Sequence, residues 1–171
     1  TLVAAGNLAS SLGALGRLAE AEVLKRQVWE ARRRALGEAH PDTLRSASNL
    51  AFSLGELGRA AEAERLNREV WTISRGVLGE DHPDTLASAG NLAFSLGALG
   101  RTAEAEGLER AVWTARRRVL GEEHPDTLTA ASNLAGTLGD LGRTAEAMTL
   151  HQQVWTVRRR TLGEDHPATL I

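Results

Sequence analysis

"TLRSASNLAFSLGELG", residues 43–58, and "AAEAERLNREVWTISRGVL", residues 60–78, together set out the architecture of the chain. In the first, Leu44, Ala47, Leu50, Ala51, Leu54 and Leu57 recur at three- and four-residue spacings, the single apolar stripe of an amphipathic helix. In the second, Ala63, Leu66, Val70, Ile73 and Val77 set the same rhythm on one face of a longer helix. Gly58-Arg59 breaks the pattern between them, and Gly79 stands where a C-terminal cap belongs. The unit is a pair of antiparallel helices joined by a tight turn, and neither helix can bury its stripe without a neighbour.

That unit recurs. Thr1-Leu2, Thr43-Leu44, Thr85-Leu86, Thr127-Leu128 and Thr169-Leu170 mark a period of about 42 residues, in the range where self-similarity means stacked supersecondary units. The expected division is one solenoid over 1–171, with repeats 1–42, 43–84, 85–126 and 127–168 and residues 169–171 opening a fifth. Because the chain starts and stops at a repeat boundary, a fragment of a larger protein is expected.

The repeat junctions read "GEAHPDTL" from Gly37, "GEDHPDTL" from Gly79, "GEEHPDTL" from Gly121 and "GEDHPATL" from Gly163. A histidine flanked by carboxylates suggests a metal site or a proton relay. A metal needs its ligands within about 2 Å of one point, whereas equivalent residues of stacked repeats lie on the order of 10 Å apart. His40, His82, His124 and His166 are therefore expected to pack or cap loops. Pro41, Pro83, Pro125 and Pro167 are expected to stop one repeat, and Asp42, Asp84 and Asp126 to N-cap the next.

The stretch "NLAFSLGELGRAAEAERLNREV" resembles the tetratricopeptide repeat family, through Leu50, Ala51, Leu54, Gly58, Glu62, Ala63, Leu66 and Val70. The longer period resembles the 42-residue variety found in kinesin light chains and in bacterial and fungal signalling proteins. The resemblance covers essentially the whole chain. It implies an all-α fold, a right-handed α-solenoid of helix-turn-helix repeats whose first helices line a concave groove.

The 171 residues are 42% hydrophobic and 25% charged, with a net charge of −2, an ordinary globular balance. The charge supplies no field to draw in nucleic acid or an acidic membrane. The chain lacks cysteine, which excludes disulfides and thiolate metal sites. No apolar run approaches a membrane span and no signal peptide opens the chain, so a cytoplasmic location is expected. Lys25 is the only lysine among many arginines, a bias that points to a GC-rich bacterial genome.

Arg32-Arg33-Arg34, Arg116-Arg117-Arg118 and Arg158-Arg159-Arg160 invite a nucleic-acid reading. The second repeat has Ser74-Arg75-Gly76 in those slots, and the runs fall in the last turn of a helix, where cations offset the macrodipole. Solvated, partly paired helix ends are expected, and nucleic acid is the least favoured partner. Trp29, Trp71, Trp113 and Trp155 recur in register and are expected to pack between repeats. Gly13, Gly55, Gly97 and Gly139 interrupt the first helices at a cost of about 1 kcal/mol each, for which two reasons stand open: close approach of a neighbouring backbone, or a groove floor kept clear. Glu22/Arg26, Glu64/Arg68 and Glu106/Arg110 are i,i+4 pairs on an expected exposed face, replaced in the fourth repeat by Met148 and Gln152. Trp155 and Leu162 are expected to be left open, which would support end-to-end self-association. No nucleophile elbow, phosphate loop or paired catalytic carboxylates occur, so neither an enzyme nor a bound cofactor is expected.

The candidate site is a stripe that the core does not use. Arg45, Asn49, Phe52 and Glu56 follow one another at spacings of four, three and four, sharing a face beside the apolar one. Asn7, Asn49, Asn91 and Asn133 occupy one slot in all four repeats, and an amide both donates and accepts hydrogen bonds, as a peptide backbone does. Phe52 and Phe94 add apolar contact, and Asp140 is the fourth repeat's counterpart of Glu56. Asparagine at this slot resembles the family's peptide-contacting position. Gly6, Ser48, Gly90 and Ser132, then Ala14, Glu56, Ala98 and Asp140, stand where some relatives carry basic residues that clamp a carboxylate. A protein or peptide ligand is expected, other than a free C-terminus. The competing account has each asparagine bonding only the neighbouring helix.

Overall fold

The computed structural model describes residues 1–169, so the expected opening of a fifth repeat is described only at Thr169, and Leu170 and Ile171 lie outside the described residues. Among the described residues there are eight α-helices and no strand: α1 (Leu2–Ala14), α2 (Leu18–Leu36), α3 (Pro41–Glu56), α4 (Ala60–Leu78), α5 (Pro83–Ala98), α6 (Thr102–Leu120), α7 (Pro125–Asp140) and α8 (Thr144–Leu162). They fall into two compact bodies, Thr1–Leu99 with α1 to α5, and the chain from Gly100 on with α6 to α8. Within each body, helices consecutive in sequence pack on one another.

The first helix of each later repeat is started by histidine rather than aspartate. His40 is the N-cap residue of α3, its backbone extended, and its Nδ1 accepts the Asp42 amide N–H at 3.1 Å. His82 and His124 do the same for Asp84 and Asp126 at 3.2 Å. This corrects the expectation that Asp42, Asp84 and Asp126 are the caps. Proline occupies the first helical position, where it opens the helix rather than closing the preceding repeat. Having no N–H, it leaves the aspartate amide as the first donor in need of a partner, and the acceptor must come from before the proline. The aspartates sit inside the first turn, where their carboxylates complement the positive helix end.

The turns behave as the glycines suggest. Gly58 (φ 74°) carries the chain from α3 to α4 and Gly79 (φ 89°) ends α4, both in the region open to glycine without strain.

In the first body, Leu44, Ala47, Leu50, Ala51 and Leu54 of α3 meet Ala63, Leu66 and Val70 of α4, with Trp29 and Ile73 packed on them. Leu57 is α3's C-cap residue and only half-buried. Val77, expected on the buried stripe of α4, is exposed, while Asn67 and Ser74 are buried. The reason is that α4 is covered from two sides, by α3 and by α5. Its buried arc widens toward α5 and leaves the last turn outside. In the second body, Leu134, Ala135 and Leu138 meet Ala147 and Leu150, while Leu128 and Ala131 meet Val154.

Trp29, from the first repeat, packs on the core of the second, and Trp113, from the third, on the core of the fourth. These tryptophans join consecutive repeats. The guanidinium four residues on lies over each ring, Arg33 over Trp29 at 5.6 Å and Arg117 over Trp113 at 5.5 Å, so each ring meets both apolar core and a cation. The arginine runs are occupied in the same way. Arg32 donates to the Ser46 hydroxyl at 2.6 Å and the Asp42 carbonyl at 3.3 Å. Arg33 pairs with Glu38, Arg117 with Glu122 and Arg159 with Glu164. Arg160 reaches Glu123 at 2.5 Å. These are tied helix ends.

The i,i+4 pairs form, Arg26 to Glu22 and Arg68 to Glu64 at 2.5 Å and Arg110 to Glu106 at 2.6 Å. Their face is less exposed than expected, because the glutamate lies in the seam between repeats. Glu22 is buried and also meets Arg59 of the next turn at 3.4 Å, and Glu106 meets Arg143 at 3.3 Å. Each of these two carboxylates holds one arginine from its own helix and one from the following repeat, and hydrogen bonds to charged groups contribute more than neutral ones.

For Gly13, Gly55, Gly97 and Gly139, an added Cβ would meet nothing within 4 Å. Close approach of another backbone is therefore not their reason.

Candidate peptide-binding face

In the first body, α3 presents Arg45, Asn49, Phe52 and Glu56 to solvent, α5 presents Asn91 and Phe94, and α1 presents Asn7. Phe52 is 61% exposed and Phe94 72%, so core packing does not account for either ring, each of which has apolar area to offer a ligand. Arg45 is held by the Asp42 carboxylate at 2.6 Å. Asn49, Phe52, Asn91 and Phe94 line one pocket of about 230 Å³, together with Ser48, Ala51, Gly55, Ala63, Asn67 and Ala98.

Among the described residues, no hydrogen bond is made by the side-chain amide of Asn7, Asn49, Asn91 or Asn133, and all four are exposed. Bonding to the neighbouring helix is therefore not what the repeated asparagines do. In the second body, Asn133 and Asp140 are exposed on α7.

A further slot escaped the sequence reading: Lys25, Asn67, Glu109 and His151, on the second helices. Lys25 donates to the Ser53 hydroxyl at 2.5 Å and stands 5.8 Å from the Phe52 ring centre. Burial pushes its ammonium below the ordinary lysine range, and Glu56 partly offsets this. Asn67 donates to the Ser95 hydroxyl at 2.8 Å and the Asn91 carbonyl at 3.2 Å. Glu109 stands beside Thr137, while His151 is exposed. The available signal was variation: the slot passes through a cation, an amide, a carboxylate and an imidazole, while the core slots of Leu66 and Val70 on the same helix keep one residue in all four repeats.

Burial raises the Glu109 carboxyl above its usual range. A hydrogen bond with Thr137 pulls it back, and the charges of Glu106 and Asp140 push it further up. A carboxyl raised by folding contributes stability below its unfolded value, about 4.3, and loses it as pH rises through the folded value. Glu109→Gln should therefore be more stable than the parent at neutral pH and less sensitive to pH above about 4. Melting temperatures of both proteins from acid to neutral pH check this.

Among the described residues, no group of three or more His, Cys, Asp or Glu could hold a metal ion, and no helix is long and apolar enough to cross a membrane.

A family profile described as tetratricopeptide repeat matches residues 1–42, 43–84, 85–126 and 127–168. The chain is similar to two crystal structures of a kinesin-light-chain-like protein of Podosopora anserina with nearly identical TPR-like repeats. One of them, a single-substitution variant, has a TM-score of 0.89 and the other 0.88, each at 32% identity over 99% of this chain and 80% of that one. It also shares its fold with BtubC (BKLC) from P. vanneervenii, with a TM-score of 0.78 at 23% identity over 90% of this chain and 60% of that one. No curated protein matches the chain.

Proposed function

The chain belongs to the tetratricopeptide repeat family, and on that premise we propose that it captures an extended segment of a partner protein on the face carrying Asn49, Phe52, Asn91 and Phe94. Repeats of this family generally serve as protein-interaction or scaffold modules. The observation that carries the finer reading is the state of the asparagines, exposed and without an internal hydrogen bond. A mid-helix asparagine has mediocre helix propensity, and its amide complements the N–H and C=O of a strand-like peptide. Asn7, Arg45 and Glu56 extend the face in the first body, and Asn133 and Asp140 are the corresponding positions of the second. The arginine-biased composition supports a bacterial origin, and membership of the family supports a scaffold or signalling role.

Asn49→Ala with Asn91→Ala should leave helicity and melting nearly unchanged and weaken capture of selected peptides at least tenfold, about 1.4 kcal/mol. Circular dichroism and fluorescence polarisation check the two halves. A double mutant that unfolds, or binds as well as the parent, would overturn the reading in favour of self-assembly. For that alternative, Trp155 is 43% and Leu162 47% exposed, but Leu36 is 45% exposed as well, so the openness of Leu162 belongs to its slot rather than to the last repeat.

A further inference from the structure

The fourth repeat gives up an ion pair that the first three keep. Glu22–Arg26, Glu64–Arg68 and Glu106–Arg110 are bonded pairs, and Met148 and Gln152 stand in their place. Gln152 lines a groove of about 380 Å³ in the second body, walled by α6, α7 and α8. The matching groove of the first body, around Trp29, Leu44, Ala47, Val70 and Ile73, encloses only about 10 Å³. Glu69 lines that one, where the open groove has Gln153. Equivalent slots therefore build a closed seam in one body and an open groove in the other, and the open one carries neutral amides where the second repeat carries Arg68 and Glu69.

The lining limits what the groove can take. Leu128, Ala131 and Val154 are buried and make an apolar floor, with Val157 and the Trp113 ring half-buried beside it. Its charged residues, Arg117 and Glu122, are bonded to each other at 2.8 Å, so an ionic ligand would lose hydration without meeting a free counter-charge. Gln152 and Gln153 are exposed, and among the described residues their side-chain amides make no hydrogen bond. Each offers a donor and an acceptor that a ligand can reach from solvent. The volume falls within the roughly 300–1,000 Å³ of small-molecule sites, which likewise combine an apolar lining with a few polar groups.

We propose that this groove binds an uncharged, mostly apolar ring compound that carries a hydrogen-bonding group. Its rings lie on the floor of Leu128, Val154 and Val157 beside Trp113, and its polar group meets the amides of Gln152 and Gln153. The site shares no residue with the peptide-binding face, and the inference stands independently of that reading.

The test is a fluorescence titration of the full chain with N-phenyl-1-naphthylamine, an uncharged probe whose naphthalene and phenyl rings flank an N–H and whose emission rises when it leaves water. The expected result is saturable binding of one probe per chain. Val157→Phe, which fills the floor, should abolish it. Met148→Glu with Gln152→Arg, which restores the ion pair of the other repeats and removes one rim amide, should weaken it about tenfold, about 1.4 kcal/mol. Phe52→Ala, on the peptide-binding face, should leave it unchanged. Both residues of the double variant are exposed, so it decides the matter even if Val157→Phe fails to fold. A titration without saturation would overturn the inference, as would binding that survives the double variant or falls with Phe52→Ala.

Discussion

Replacing Gly13, Gly55, Gly97 and Gly139 together by alanine is expected to stabilise the protein by about 2–4 kcal/mol, at roughly 0.5–1 kcal/mol for each helical glycine. The gain follows from the open space around each position, where an added Cβ meets nothing within 4 Å, and from the reduced freedom of the unfolded chain. At about 2–4 °C per kcal/mol for a protein of this size, melting should rise by at least several degrees. Differential scanning calorimetry would show it, and a lower melting temperature would mean that the glycines serve a packing role absent from the structure. Gly55 also lines the pocket between the two phenylalanines, so Gly55→Ala alone should weaken peptide capture while stabilising the fold. Opposite signs in the two measurements would be the mark of a floor kept clear for a ligand.

Leu92→Ala should destabilise the protein by about 2–5 kcal/mol, the range for deleting most of a fully buried leucine side chain. Leu92 is completely buried in α5. Leu8→Ala, the same substitution at the same slot of the first repeat, should cost much less, because Leu8 is 54% exposed. Urea denaturation of the two variants compares them directly, and equal losses would contradict the burial pattern.

The periodicity of Leu44, Leu50, Leu54, Leu66 and Val70 was enough to read paired helices and their repetition, because a helix settles which residues share a face. The asparagine and phenylalanine stripe was legible for the same reason. Asn67 was not. It falls among polar residues of α4, and only the position of α5 makes it buried and leaves its oxygen without a partner. The exchange of roles between histidine and aspartate at the junctions was hidden too, since both side chains can accept, and backbone geometry on either side of the proline selects which one does.

Helix pairs, their period and the residues able to face a core follow from local spacing and turn chemistry, and the order of amino acids is sufficient for all three. Which copies of a repeated residue are buried is a property of the packed chain. Leu8, Leu50, Leu92 and Leu134 are one residue at one slot, yet the last three are fully buried and the first is exposed. The reason is their neighbours: α1 packs on α2, whereas α3 packs on both α2 and α4. Burial belongs to the elements on either side, and identical words in a sequence cannot carry it.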